Sequence, residues 1–403
     1  MSSSPTKSPA VPGRFASPLI PIFLVVLVDV LGMTLILPLL PFYTERLGAS
    51  PTQVGALVSI YAVCQLIAGP YLGRLSDKVG RRPVLLVSQV GTLIGFLVLL
   101  FANQVWLVFV SRMIDGITAG NLTIAQAYIS DVTSAENRAK SFALIGIAFG
   151  FGFLVGPGIS GYLAALNYSY PIIAAASLSA TSILCTWFLL PRREPVHAAH
   201  DESAGPGGRR LGFLEWDAYG KFFADPALRR LLLQWFLFSF SFSSFISAFA
   251  LFAERRYTWN GHPFGVREVG YVFAFSGLLG MIMQGGLVGR MVKWLGEVRV
   301  VRLGFLTSAL GYAAIGFTHH LWDLLTVQTV SSVGGGGLRP ALTSLITQRA
   351  SRREQGVVIG LTQSLMSIAQ ISAPLLAGKL IDLHLLTEWA VMSGMVAFAA
   401  LFV

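Results

Sequence analysis

Three charged residues stand where lipid would make them costly. Asp29 lies about eleven residues into an apolar run, and Arg112 and Asp115 sit mid-way along another, three residues apart and so on one helical face. Each such charge costs at least about 2.5–3.5 kcal/mol at the centre of a membrane helix, which makes it a functional candidate by default. A carboxylate whose contact with a cation forms and breaks changes its affinity for a proton. The chemistry this offers is proton coupling or the binding of a charged substrate, carried by Asp29, Arg112 and Asp115. The alternative is a static network in which Asp115 only neutralises Arg112. Further along the second run, Asn121, Gln126 and Tyr128 are polar groups expected to face a cavity sooner than lipid. The neutral Gln65, Gln284, Gln328, Gln363 and Gln370 are candidates of the same kind. No nucleophile–base pair or metal-ligand cluster stands out, and Gly334–Gly337 lacks the Lys-Ser/Thr that completes a phosphate loop. Neither catalysis nor a cofactor nor a metal is expected.

The elements that must position these residues are membrane spans. With 54% hydrophobic and 12% charged residues over 403 positions and a mean hydropathy of +0.68, the chain falls outside the soluble range. The net charge of +10 does not imply nucleic acid, because the bases fall in short clusters between apolar runs of about 20 residues. Twelve spans are expected, at 18–42, 52–73, 83–102, 105–129, 141–164, 170–190, 231–253, 268–289, 299–318, 321–346, 356–380 and 387–403, the last short and ending at the final residue. Open-edged strands are too costly in lipid and barrel strands are shorter, so the spans are helices. Four bases fall in outer loops (Arg46, Arg255, Arg256, Arg267) and three within spans (Arg112, Arg339, Lys379), leaving 22 of the 29 on the other side. That asymmetry predicts cytoplasmic N- and C-termini. Cys64 and Cys185 both lie inside apolar runs, so no disulfide framework is expected. A polar tail, 1–17, precedes the first span. A Gly/Pro-rich segment, 191–230, with an amphipathic patch near Phe213–Phe223, divides two six-span halves, 18–190 and 231–403.

The halves repeat each other. A shift of 216 residues places Gly73 on Gly289, Arg74 on Arg290, Gly80 on Gly296 and Gly120 on Gly336. With one inserted residue, Pro157 and Gly161 meet Pro374 and Gly378. Two repeats with a site between them near mid-membrane is the architecture of a secondary transporter. Span 7, Trp235 to Phe249, spreads Phe and Ser around a helix. That composition suits a greasy pocket with a few hydrogen-bonding groups, or else ordinary lipid contact.

Gly73-Arg-Leu-Ser-Asp-Lys-Val-Gly-Arg-Arg82, Arg112-Met-Ile-Asp-Gly116 and Gly150-Phe-Gly-Phe-Leu-Val-Gly-Pro-Gly158 with Gly161 resemble motifs of the major facilitator superfamily. The resemblance extends over nearly the whole chain and runs to its twelve-helix drug/proton antiporters, tetracycline exporters in particular. It implies an all-α fold of 12 transmembrane helices in two six-helix halves, and a proton-coupled antiporter exporting an amphipathic organic compound by alternating access. The alternatives are an organic-anion carrier with Arg112 as the anion site, and a non-transporting sensor or scaffold on the same fold. By resemblance, Gly73, Asp77, Gly80 and Arg81 form a cytosolic gate. Asp131 would pair with Arg81, and Asp77 would sit at the start of span 11 near Gln355-Gly-Val357. Gly152, Gly156, Pro157 and Gly161 mark an exchanger of substrate for protons. The implied partners are a small organic substrate, protons and membrane lipid, with no nucleic acid, in a monomer of the inner or plasma membrane. One departure stands out: tetracycline exporters carry acids in helices 3 and 9 and a histidine in helix 8, where this chain has Gly95, Ser308 and Gly280.

Overall fold

The computed structural model describes residues 19–133, 138–190, 220, 222–350 and 355–403. The tail 1–17, most of the linker 191–230, and the side chains of Gln355 and Gly356, the expected seat of Asp77, lie outside the described residues. Long apolar runs in lipid satisfy their backbone groups internally, and the described chain is accordingly helical. Its elements are α1 (Leu19–Ile36), α2 (Leu39–Arg46), α3 (Pro51–Val79), α4 (Arg81–Leu100), α5 (Val105–Ile117), α6 (Asn121–Val132), α7 (Arg138–Leu166), α8 (Ser169–Leu189) and α9 (Pro226–Arg256). After a short hairpin follow α10 (Val266–Ile282), a π-helical turn (Met283–Leu287), α11 (Val288–Leu295), α12 (Glu297–Ile315), α13 (Leu321–Arg349), α14 (Gln355–Asp382) and α15 (Leu386–Ala399). The hairpin pairs Thr258–Trp259 with His262–Pro263. Its central Asn260 and Gly261 both have positive φ, 51° and 83°, as the tightest such turn requires.

Nine helical segments among the described residues are long and apolar enough to cross a bilayer. Three expected spans differ. Span 4 is broken into α5 and α6, α13 is diluted by Gln, Ser, Thr and four consecutive glycines, and α15 is 14 residues long. The charged stretch Gly73–Arg82, which joins the expected spans 52–73 and 83–102, is mostly helix. α3 runs on to Val79 and α4 starts at Arg81, so Gly80 alone makes the corner, at φ 101°. Gly296 makes the equivalent corner between α11 and α12 at φ 79°. Only glycine adopts such a φ without strain, so the repeat fixes the residue type at both places.

The buried core divides into one shared and two separate clusters. At the end holding the hairpin, residues from both parts of the chain, including Leu57, Phe96, Phe249, Phe252, Tyr312 and Trp389, form a single cluster. Toward the other end, Val26, Leu72, Leu85 and Tyr128 belong to a cluster drawn from α1–α8, while Leu232, Trp235, Phe305 and Val358 belong to one drawn from α9–α15.

Two matching interfaces seal the shared end. α3 packs on α14: Gly55 lies against the Pro374 carbonyl and Gly378 against that of Pro51. α10 packs on α7 in the corresponding way, with Gly270 against the Pro157 carbonyl, and a methyl at Gly161 would come 2.9 Å from the Arg267 oxygen. Small residues let backbones approach this closely, and these contacts join the very positions that the repeat aligns. Hydrogen bonds finish the seal. Thr52 Oγ1 donates to Asp382 Oδ2 at 2.5 Å, Ser59 Oγ donates to the Ile371 carbonyl at 2.6 Å, and Arg255 Nη2 reaches Glu45 Oε1 at 2.6 Å.

Candidate functional site

Asp29 projects from α1, half-buried, with the side chains of Ser182 on α8, Gln89 on α4 and Asn121 at the start of α6 near its carboxylate and Asp115 further off. Three neutral groups from three helices therefore surround it. Gln89 is fully buried, and its Nε2 donates to Ser182 Oγ at 2.7 Å, tying two of the three together. Arg112 turns elsewhere. Its Nη1 pairs with Asp115 Oδ2 at 3.1 Å, and its Nη2 donates to Ser111 Oγ, whose own hydroxyl donates to the Gly95 carbonyl at 2.8 Å. Both members of the ion pair are buried, at 7% and 9% exposure, with Thr92 against the Asp115 carboxylate and Tyr61 beside the pair. The structure thus separates an acid near neutral groups from an ion pair whose guanidinium keeps one buried donor, Nε, without a partner.

A break in the fourth span joins the two. α5 ends at Ile117, and after three intervening residues Asn121 opens α6. The backbone groups freed by the break find Ser88. The amide of Gly120 donates to Ser88 Oγ at 3.0 Å, and Ser88 Oγ donates to the Thr118 carbonyl. Broken helices are tolerated at membrane depth where a side chain re-satisfies the backbone, and they bring a positive helix start to bear on anions. Here that start carries Asn121 toward Asp29. The expectation of one continuous helix over 105–129 is corrected accordingly. Gly95, found where tetracycline exporters place an acid, comes so close to Asp115 that a methyl there would lie 3.3 Å from its Cβ. Asp115 itself fills the space a side chain at 95 would need.

Gln89, Thr92, Ser182 and Tyr61 are the site residues the sequence reading passed over. Each is a single uncharged polar residue in an apolar run, a pattern shared by many residues that only pack. Gln89 is the sole glutamine of its run, and that was its one signal.

At the other end, three of the residues expected to form the gate, Asp77, Arg81 and Asp131, meet as a cluster. Arg81 Nη1 pairs with Asp77 Oδ1 at 2.5 Å and donates to Ser76 Oγ at 2.7 Å, while its Nε reaches Asp131 Oδ2 at 2.8 Å. One guanidinium therefore ties α3, α4 and α6 together within α1–α8. Gly73 accepts from Ser76 Oγ at 2.7 Å one turn below. In the helix 5 motif, Gly152 and Gly156 pack on Val30 and Thr34 of α1, while Pro157 and Gly161 face α10. The motif thus serves both packing inside one half and the seal between halves.

The other polar candidates scatter. Gln126 is half-buried on α6, Gln284 is exposed in the π-helical turn, and Gln363 is exposed on α14. Gln328 is 5% exposed and donates through Nε2 to Ser276 Oγ at 2.8 Å. The serines of α9 turn inward: Ser241 and Ser244 bond to Ser393 of α15, at 2.5 and 2.8 Å. Among the described residues no group of three or more His, Cys, Asp or Glu side chains is placed to hold a metal ion.

Known proteins resemble this chain over most of its length. The chain is 30% identical over 368 residues to a tetracycline resistance protein, class B, of Escherichia coli, covering 91% of this chain and 88% of that protein. It is 28% identical over 354 residues to multidrug resistance protein 1 of Bacillus subtilis, covering 88% and 87%. Among solved structures it matches the human organic anion transporter MFSD10 (TETRAN) with a TM-score of 0.70 at 26% identity, over 95% of this chain and 98% of that one. The nucleoside transporter NupG superposes with a TM-score of 0.77 at 13% identity, a likeness of fold alone. The profile of the Major Facilitator Superfamily matches residues 22–374 and, in a second match, 286–403, and with the helical fold and its paired interfaces this places the chain in that superfamily.

Proposed function

We propose that this chain is a proton-coupled antiporter that exports an amphipathic organic compound. Family and fold make it an integral membrane transporter and not an enzyme. Relatives named for tetracycline and multidrug resistance support export of a drug-like substrate. The observation that carries proton coupling is the surround of Asp29: a membrane-embedded carboxylate, half-buried and so reachable, near Ser182, Gln89 and Asn121 and not paired with Arg112. A carboxylate without a fixed cation takes up and releases a proton at the least electrostatic cost. The Arg112–Asp115 pair acts beside it as the switch that senses the protonated state.

The excess of bases in alternate loops of the sequence, 22 against four, supports a cytoplasmic location for those loops and for both termini. The described conformation is then sealed outside and parted inside, with Asp77, Arg81 and Asp131 clustered within the first six-helix half. Alternating access is the exchange of this arrangement for one in which the glycine interfaces part and the cytosolic gate closes.

The test is transport into proteoliposomes under an imposed pH gradient, using tetracycline, a lipophilic cation and an organic anion, with wild type and Asp29→Asn. Asp29→Asn is expected to lose gradient-driven transport at least about a hundredfold while still exchanging substrate down its own gradient. Undiminished gradient-driven transport in Asp29→Asn would overturn the proton role.

A further inference from the structure

Two intramembrane bases have no part in the scheme above, of which Lys379 lies in the last turn of α14 at the sealed end. Arg339 lies on α13 ten residues before Arg349, about 15 Å away along the helix axis. It is exposed, and it pairs with no carboxylate among the described residues. It does not stand alone on its face. Gln328, Ser332, Arg339 and Thr343 are spaced four, seven and four residues apart, which at 3.6 residues per turn keeps them within about 60° of each other. α13 therefore carries a polar stripe. Another face is closed against α12, where Leu338 fills the space over Gly304 and Gly334 lies against Thr307.

Two features show what the stripe is free to do. Beside it, a methyl at Gly336 would lie 3.0 Å from Met283, the residue at which α10 loosens into the π-helical turn with exposed Gln284, Gly285 and Gly286. Such turns are frequent at functional sites because they release backbone groups. At the far end of the stripe, Gln328 is buried. Its Nε2 is used by Ser276, and its Oε1 has no hydrogen-bond partner. A buried acceptor left unpaired in the protein is a cost that a bound donor would remove.

Resting on the transport reading above, we propose that this stripe is the substrate-recognition surface of the second half, with Arg339 taking an anionic group of the substrate and Gln328 Oε1 a donor further along it. The substrate class this selects is an amphipathic organic anion or zwitterion carrying a carboxylate, sulfonate or enolate. Of the three bases within spans, Arg112 is matched by Asp115 and Lys379 lies at the sealed helix end, which leaves Arg339 for that charge. A lipid phosphate offers similar anionic chemistry, and the test separates the two.

The probes are fluorescein as the anion and tetraphenylphosphonium as the cation, with Kd measured on purified protein and KM in proteoliposomes. Arg339→Gln is expected to weaken fluorescein about tenfold or more and to leave tetraphenylphosphonium within about twofold; Arg339→Lys should recover part of the loss. Gln328→Leu should weaken fluorescein less. The same ratios in liposomes with and without anionic lipid support the substrate site, and an effect confined to anionic liposomes assigns Arg339 to headgroups and overturns it. Unchanged fluorescein affinity, equal loss of both probes in a well-folded variant, or no fluorescein binding by wild type would also overturn it. Failure of proton coupling shows separately, as insensitivity of both probes to the pH gradient in wild type.

Discussion

The polar atoms of α1–α8 converge, and those of α9–α15 disperse. In the first group, Asp29, Gln89, Asn121 and Ser182 meet, with Arg112, Asp115, Thr92 and Tyr61 alongside. In the second, Gln328 bonds to Ser276 at one end of the α13 stripe and Arg339 stands eleven residues along it, while Ser241 and Ser244 of α9 meet Ser393 of α15 as a separate group. Yet the frames match: Gly80 and Gly296 turn the same corner, and Pro157 and Pro374 accept the same glycine contact from across the molecule. Paired interfaces allow the halves to rock about one another, and that motion needs the backbone repeat but not a chemical one. Chemistry is therefore free to specialise, protons in one half and substrate recognition in the other.

That contrast can be broken most forcefully at the buried ion pair. Arg112→Gln strands the Asp115 carboxylate, 9% exposed, and is expected to cost about 3–5 kcal/mol, read as a lower unfolding temperature in detergent. The double change Arg112→Gln with Asp115→Asn should regain part of that. Gln328→Leu, the neutral counterpart in the second half, should cost less than about 1.5 kcal/mol. Equal losses from Arg112→Gln and Gln328→Leu would erase the distinction between the halves.

The next effect tests the shared frame. Gly378→Leu drives a side chain into Pro51 and Thr52 and should disfavour the sealed end by about 1–3 kcal/mol. Labelling of a cysteine introduced at Thr52 should then rise at the sealed face. Gly55→Leu, which meets Pro374 in the same interface, should do the same, whereas substitution at Gly360, with nothing within 4 Å, should not.

Gln89→Leu removes one of the three groups around Asp29 and is expected to slow gradient-driven transport about tenfold, with substrate affinity nearly unchanged. A loss confined to affinity would move Gln89 from proton handling to substrate binding. The smallest change is Glu45→Gln. Its ion pair with Arg255 joins the halves at 2.6 Å, but the side chains are 17% and 25% exposed, so the effect should be about 0.2–1 kcal/mol. It should appear as a modest gain in Thr52 labelling, fading at high salt.

The membrane class, the helical spans, the internal repeat and the family were legible in sequence, because each is written in local composition or in spacing along the chain. Asp29, Arg112 and Asp115 were legible for the same reason: a charge in an apolar run is conspicuous. The partners were less so. Arg112 was expected to tune Asp29, and in the structure it holds Asp115, while Gln89 and Ser182 reach Asp29 from α4 and α8. Gly120 showed only as a repeat position, yet the chain breaks just before Asn121 because Ser88 of another helix receives the freed backbone groups.

By itself the sequence determined that this protein crosses a membrane, repeats its helical frame and carries Asp29, Arg112 and Asp115 within its apolar runs. The tertiary structure alone decided which groups surround that acid, which end is sealed, and that Arg339 heads a stripe with an unsatisfied amide. The physical reason is range: hydropathy and repeat are properties of neighbours along the chain. Hydrogen bonds and glycine contacts join residues from Pro51 to Gly378 that only packing brings together.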